Sequence, residues 1–223
     1  MCYTAGMISL VAFLGNYGRA YEGTRHNVAW QFANSLPFYQ KISWQEKFKG
    51  DYAVVETTTL AEWFCQTGLL TTKDGGVPVI PKNAPDKIYF LKPLTYMNLS
   101  GESIGELAHF FKIVPEEILV VHDELELPLG TLSLKWSGGL GGHNGLRSTK
   151  AVLGTADFWR LRFGLTKPQN RDIADYVLSA FTAEERLMLQ TVFAEGAKLF
   201  AKVLLSSDPA RLIPVWGKKK VLS

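Results

Sequence analysis

The chain has 223 residues, of which 47% are hydrophobic and 20% charged, with a formal net charge of +3. These values are typical of a folded globular protein and exclude disordered, collagen-like and coiled-coil chains. The two cysteines are too few for a disulfide framework or a cysteine-rich zinc module, and they favour a reducing cytoplasm. No apolar run reaches the roughly 18–20 residues that a membrane span needs.

Apolar runs alternate with stretches of helical periodicity along the chain. Strands are predicted at residues 7–14, 51–56, 87–91, 117–121, 131–136 and 159–165. The last two alternate strictly between apolar and polar residues and are predicted to be half-exposed. Helices are predicted at three places, residues 24–36, the apolar stripe around Ile104 and Leu107, and the segment after Thr182. Interleaved strands and helices predict a single α/β domain around one sheet.

Two capping boxes are predicted, Ser103 with Glu106 and Thr182 with Glu185. Three segments have no predicted place in the core. Residues 1–6 contain no basic residue, which a targeting signal would need. They are therefore expected to be a disordered leader and not a signal. Residues 57–85 are irregular and are expected to form a surface excursion, and residues 215–223 a loose basic tail.

Charge is distributed unevenly. Residues 131–171 contain seven basic residues and one acidic residue, whereas residues 99–127 contain seven acidic residues and one lysine, Lys112. Lys135 lies on the polar face of its strand, and Arg160 and Arg162 share one face of theirs. Such a surface suits phosphate groups, and a solvated strand face is the equal alternative.

His26 is the first candidate for chemistry, because its loop leaves a buried strand and enters a helix. Ligands of α/β sheets collect at such strand ends. A histidine there has the pKa range of a general base, although the backbone could equally satisfy it. Asp123 also follows a buried strand, where it could orient a histidine or cap a turn.

Three asparagines, Asn16, Asn98 and Asn144, lie at further strand-to-helix junctions. An amide both donates and accepts hydrogen bonds, so such a group suits the placement of water, a carbonyl and a hydroxyl. Asn144 follows a glycine-rich stretch that could form an anion nest, and it is well placed to cap the next helix. No nucleophile elbow, phosphate-binding Gly-Lys-Ser/Thr or metal-ligand spacing is found.

Together these stretches resemble bacterial-type peptidyl-tRNA hydrolases. The resemblance covers about residues 8 to 205 and rests on five motifs in order: GNYGRAYEGTRHN (15–27), KPLTYMNLSG (92–101), HDELELPLG (122–130), GGLGGHNGL (138–146) and RLRFG (160–164). It implies one α/β globule with a twisted mixed sheet flanked by helices. It also implies hydrolysis of the ester between a peptide and the 3′ end of tRNA, without cofactor or metal.

The resemblance further implies roles by position. His26 would be the general base, Asp123 would hold it, and Asn16 would sense the first peptide amide. Asn98 and Asn144 would place substrate and water. The remaining implied residues would contact tRNA, at its 3′ end or its acceptor phosphates: Tyr21, Tyr96, Lys135 and Arg162. Peptidyl-tRNA is the expected partner of a cytoplasmic monomer that has no membrane or obligate protein partner.

Two other functions compete with this one. A non-catalytic RNA-binding relative of the same fold would have lost the histidine, aspartate and asparagines that are present here. A Rossmann-type nucleotide enzyme is suggested by the glycines beside Asn16, but the complete G-x-G-x-x-G is missing. Tyr17 replaces the proline usual in the family, which leaves the placement of Asn16 in question, and the excursion at 57–85 is longer than the usual connection.

Overall fold

The computed structural model describes residues 6–72 and 75–222. In this part of the chain eight strands form one mixed sheet, in the order β2-β3-β4-β1-β5-β7-β6-β8. The strands are β1 Leu10–Phe13, β2 Gln45–Lys47, β3 Gly50–Glu56, β4 Lys87–Pro93, β5 Ile118–Glu124, β6 Thr131–Trp136, β7 Trp159–Gly164 and β8 Lys219–Lys220. The helices are α1 Val28–Ser35, α2 Thr57–Gln66, α3 Ser100–Phe111, α4 Asn144–Leu153, α5 Ile173–Val177, α6 Ala183–Leu204 and α7 Ile213–Trp216. The predicted α/β fold is confirmed.

The four central strands β4, β1, β5 and β7 are parallel, and the outer strands pair antiparallel. Strands of this kind are covered on both faces, which explains the continuous apolar run at the start of β5. One face carries a core that includes Phe13, Phe32 and Phe200. The other carries Leu10, Ile104 and Leu146, from β1, α3 and α4. The carboxyl ends of the parallel strands therefore open at one shared edge.

Helices α3 and α4 pack against each other next to this edge. A Cβ at Gly101 would lie 2.2 Å from the carbonyl oxygen of Ser148, so only glycine allows this approach. Gly101 also donates its N–H to Ser148 Oγ at 2.9 Å. The close approach fixes the two helix starts, and with them Asn98 and Asn144, relative to each other.

The predicted surface excursion at 57–85 is wrong for its first third. Residues Thr57–Gln66 form α2, which buries Leu60, Ala61 and Phe64 against the core. These three residues lie on one helical face, a spacing that the threonine-rich start of the segment obscured. The remainder is irregular over the residues described, and Lys73 and Asp74 lie outside them.

The predicted loose tail at 215–223 is also wrong over the residues described. Trp216 is 4% exposed, and β8 pairs with β6. Val221 donates its N–H to the carbonyl oxygen of Gly130 at 2.8 Å. The tail therefore closes one edge of the sheet. The predicted leader at 1–6 lies outside the described residues except for Gly6, and so does Ser223.

The two predicted capping boxes have opposite outcomes. The capping box of Thr182 and Glu185 is confirmed at the start of α6. That of Ser103 and Glu106 is wrong, because α3 already begins at Ser100 and Ser103 Oγ donates to the carbonyl oxygen of Phe48.

Strands β6 and β7 are mostly buried rather than half-exposed, because packing covers both faces. Strand β1 begins at Leu10 rather than at residue 7. Within the described ranges, no helix is both long and apolar enough to cross a membrane.

Candidate active site

His26 and Asp123 meet at the carboxyl edge of the sheet. His26 lies in a short 3-10 turn, Arg25–Asn27, that leads into α1, and Asp123 is near the end of β5. Nδ1 of His26 lies 2.8 Å from Oδ1 of Asp123, and the two residues are 9% and 2% exposed. An ionised carboxylate only accepts, so Nδ1 carries the proton and Nε2 keeps a free lone pair. This arrangement orients one histidine nitrogen as a base.

The charges of this pair depend on each other. Burial alone would lower the pKa of His26, but the charge of Asp123 and its hydrogen bond outweigh burial, so that the pKa is raised. Burial would raise the pKa of Asp123, but its charge interactions and hydrogen bonds with His26 and His143 hold that pKa well below its usual range. Asp123 is therefore ionised at neutral pH and stabilises a positive charge on the neighbouring ring.

His143 is a second partner of the same carboxylate oxygen. Its Nε2 lies 2.9 Å from Oδ1 of Asp123, and its ring centroid is 5.0 Å from that of His26. Its Nδ1 accepts the backbone N–H groups of Gly145 and Leu146, at 3.1 and 3.3 Å. Accepting at Nδ1 leaves the proton on Nε2, so His143 donates to Asp123. No motif or spacing in the sequence indicates that both histidines contact the same oxygen of Asp123.

The residue that caps helix α4 is His143 and not the predicted Asn144. The sequence predicts that Asn144 caps α4, but Asn144 is the first residue of that helix, and the ring of His143 supplies the cap. The side chain of Asn144 is therefore not occupied at the helix start and lines the cavity instead. Capping by an imidazole ring is uncommon, since serine, threonine, aspartate and asparagine are preferred, so the sequence favoured the wrong residue.

His122 is fully buried beside this network. Its Nδ1 contacts the carbonyl oxygen of Asp123 at 2.6 Å, and its ring lies edge-on to that of His143. Burial and the neighbouring His143 lower the pKa of His122 well below its ordinary value. His122 is thus a neutral side chain that packs beside the network.

His26, Asp123 and His143 are also close enough to be considered as metal ligands, with one donor atom of each within 4.8 Å of the others. The hydrogen-bond pattern does not fit that use. Nε2 of His143 and Nδ1 of His26 both carry protons that face Asp123, whereas a metal needs their lone pairs. The group is better described as a hydrogen-bonded network.

Asn16 is fixed by its backbone and by its side chain. Its N–H and carbonyl pair with the side-chain amide of Asn27, at 2.8 and 2.9 Å. Its Oδ1 accepts the N–H of Met97 at 2.8 Å. Nδ2 is therefore the group with which Asn16 can meet a ligand, and it can only donate. Tyr17 does not prevent this placement. Asn27, which was not among the predicted site residues, anchors the loop.

A cavity of about 690 Å³ opens at this edge of the sheet. Seven of the nine predicted site residues line it: Asn16, Tyr21, His26, Tyr96, Asn98, Asp123 and Asn144. Tyr21 and Tyr96 meet edge to face, with ring centroids 6.3 Å apart. One wall of the cavity includes Ile173, Val177 and Leu178, from the segment at residues 172–178. The cavity combines an orienting set of polar groups with an apolar wall.

Lys135 and Arg162 do not line the cavity. Arg162 forms an ion pair with Glu124 at 3.1 Å and donates to Ser133 Oγ at 2.6 Å. Glu124 in turn lines the cavity, so this basic pair lies next to it. Burial and the nearby charges of Arg162 and Arg160 lower the pKa of Lys135. Lys135 has no hydrogen-bond or ion-pair partner among the residues described.

Arg160 does not lie on the exposed, phosphate-facing surface that the sequence predicts. It is 1% exposed, and its guanidinium donates to the carbonyl oxygens of Gly138 and Gly139. Arg160 therefore anchors the start of the glycine-rich loop at 138–146. Of the basic face that the sequence predicts, Lys135 and Arg162 remain. Two arginines at alternate positions of one strand look alike in sequence, and only packing separates them.

Comparisons with known proteins agree with one another. The family model described as peptidyl-tRNA hydrolase matches residues 10–220. The peptidyl-tRNA hydrolase of Treponema pallidum (strain Nichols) is 40% identical over 97% of this chain and 98% of its own. That of Desulfitobacterium hafniense (strain Y51) is 43% identical over 86% and 90%. The crystal structure of peptidyl-tRNA hydrolase from Acinetobacter baumannii gives a TM-score of 0.76 at 28% identity and covers 96% of this chain and 97% of that one.

Proposed function

The chain belongs to the peptidyl-tRNA hydrolase family and hydrolyses peptidyl-tRNA, and we propose that it does so with His26 as the general base. The observation that carries this role is the 2.8 Å contact between Nδ1 of His26 and Asp123, which leaves Nε2 as the proton acceptor beside the cavity. A base in this position contributes roughly 10²–10⁴-fold to the rate.

The reaction proceeds by attack of water on the ester carbonyl. Nε2 of His26 takes a proton from the water as its oxygen bonds to the carbonyl carbon. Asp123 stabilises the imidazolium that forms, because it is buried, charged and hydrogen-bonded to the opposite nitrogen. When the bond to the ribose oxygen breaks, His26 returns the proton to that oxygen. The products are the released peptide and a tRNA with a free terminal hydroxyl.

The asparagines orient the reactants. Nδ2 of Asn16 donates to the carbonyl of the peptide bond nearest the ester. That carbonyl exists only when the amino group is acylated, so a free aminoacyl-tRNA leaves the donor unpaired. A buried donor without a partner costs about 1–3 kcal/mol, which favours the blocked substrate. Asn98 and Asn144 carry amides at the cavity and place the ester oxygen and the attacking water.

The tRNA end lies across the aromatic and basic groups next to the cavity. Tyr21, which is half-buried, and Tyr96, which is exposed, contact the terminal nucleotide, since accessible aromatic rings pack on sugars and bases. Lys135 and Arg162 meet phosphates of the acceptor region, for which Arg162 exchanges its contact with Glu124. The protein acts as a monomer without an obligate protein partner, in the cytoplasm, where translation supplies its substrate.

The test is hydrolysis of an N-acetyl-aminoacyl-tRNA in the presence of EDTA. We expect the wild-type protein to release the acetylated amino acid and His26→Ala to lose at least about 10²-fold in kcat. His109→Ala, which removes an exposed histidine on α3, is the matched control and keeps full activity. Activity of His26→Ala within a few fold of wild type would refute the role of His26.

A further inference from the structure

The wall formed by residues 172–178 has little of its own to hold it in place. Helix α5 has only five residues, and of these Val177 alone is buried. Segments that bury so little open at low free-energy cost. This wall and His26 nevertheless line the same cavity. Something outside α5 must therefore fix its distance from the base.

Arg25 makes the interactions that do this. Its backbone N–H donates to the carbonyl oxygen of Ser179 at 3.0 Å, and its Nη1 donates to Ser179 Oγ at 2.8 Å and to the carbonyl oxygen of Ala180. Its Nη2 pairs with Glu185 at 2.6 Å. The neighbouring residue Thr24 forms an isolated bridge with Ala180. The turn that carries His26 is thus tied directly to the end of the wall.

Two rings hold the guanidinium from its faces. Its carbon lies 4.6 Å from the ring centroid of Tyr176 and 5.1 Å from that of Phe181. The side chains of Arg25 and Glu185 are 7% and 20% exposed, so this charge pair is only weakly screened. Glu185 also accepts the N–H of Thr182 in the capping box of α6. One buried side chain thus joins α5, the loop after it and the start of α6.

We propose that Arg25 is a positioning residue that sets the width of the cleft between His26 and the apolar wall at 172–178. This inference rests on the proposed function of His26. Arg25 immediately precedes His26 in the same turn, so the wall and the base share one anchor. Ile173, Val177 and Leu178 then bind the apolar side chains of the peptide, at a spacing that Arg25 fixes.

Arg25→Lys is the direct test, because lysine keeps the charge but lacks the planar fork that binds three groups at once. Two substrates on the same tRNA are compared, N-acetyl-glycyl-tRNA and N-acetyl-leucyl-leucyl-tRNA. We expect the KM of the leucyl substrate to rise by about tenfold and that of the glycyl substrate by less than about twofold, with kcat within about threefold for both. The acid limb of the pH profile stays in place, because Asp123 is untouched.

Arg211→Lys is the matched control, since the side chain of Arg211 is 84% exposed, pairs with Asp208 and does not line the cavity. It is expected to leave both KM values unchanged. Hydrogen exchange supplies a readout without activity: amides of residues 172–178 exchange faster in Arg25→Lys, while those of β5 do not. An equal rise of KM on both substrates, or no rise on either, overturns the proposal even if His26→Ala behaves as expected.

A second pair of variants covers the case in which Arg25→Lys does not fold. Tyr176→Leu removes the ring beside the guanidinium, and Tyr176→Phe keeps the ring but removes the hydrogen bond from the hydroxyl to the carbonyl oxygen of Leu165. The leucine variant is expected to reproduce the substrate-dependent rise in KM at a smaller size, about threefold, and the phenylalanine variant is not. The opposite order contradicts a role of the stacked guanidinium.

Discussion

The histidine–aspartate network of His26, Asp123 and His143 and the basic pair of Lys135 and Arg162 lie close together but are built differently. In the network, one buried carboxylate oxygen accepts from two histidines, and each ring has a defined proton position. In the basic pair, Arg162 is held by Glu124 while Lys135 has no such partner among the described residues. The network is preorganised for proton transfer, whereas the pair leaves charge available to a ligand.

The difference predicts that changes in the network alter turnover and that changes in the pair alter affinity. Asp123→Asn should have the largest effect, a reduction of kcat on the order of 10³–10⁴, because the amide no longer fixes the tautomer or stabilises the imidazolium. Single-turnover hydrolysis of N-acetyl-aminoacyl-tRNA measures it. Asp86→Asn, a change of the same kind at an exposed position, is the control. A reduction below tenfold would mean that His26 works without its partner.

Asn16→Ala should have an intermediate effect that concerns selectivity. We expect the ratio of kcat/KM for N-acetyl-aminoacyl-tRNA to that for free aminoacyl-tRNA to fall by roughly tenfold or more, since the missing donor is worth about 1–3 kcal/mol. The two rates are measured with the same tRNA. Asn34→Ala, on the exposed side of α1, serves as control. A constant ratio with both rates reduced would assign Asn16 to the fold alone.

The double variant Lys135→Ala with Arg162→Ala should have the smallest effect on turnover. Binding of tRNA should weaken, and the slope of log K against log salt should flatten by roughly 0.7–0.9 for each phosphate that the variant no longer neutralises. Affinities at several salt concentrations measure this. Lys198→Ala with Arg211→Ala removes the same charge from exposed ion pairs and should leave the slope unchanged. An unchanged slope in the first variant would place the phosphates elsewhere.

The sequence predicts the parts of the site that follow from strand ends and fails where packing decides. His26 and Asp123 come together because their strands, β1 and β5, are parallel neighbours. The shared oxygen with His143 depends on the tautomer that the α4 cap imposes, which no spacing encodes. The anchoring by Asn27 likewise depends on two loops meeting.

Elsewhere, the same limit applies to the fold. Arg160 and Arg162 occupy equivalent positions of one strand, yet the first is buried under the glycine-rich loop and the second is half-buried beside Glu124. The sequence does not predict helix α2 because threonines precede its apolar face, and it does not predict the burial of Trp216 because three lysines follow closely. In each case tertiary packing outweighs local composition.

The mechanism depends above all on His26 acting as the base, with its pKa raised by Asp123. Protonation below that pKa removes the lone pair of Nε2, so kcat/KM must fall as the pH drops through it. The most direct measurement compares the acid limb of kcat/KM with the NMR titration of the His26 Cε1–H signal in the same protein. The two midpoints are predicted to coincide above the ordinary histidine value of about 6.5 and to move together to lower pH in Asp123→Asn. An acid limb that stays in place while the His26 signal shifts would contradict this role.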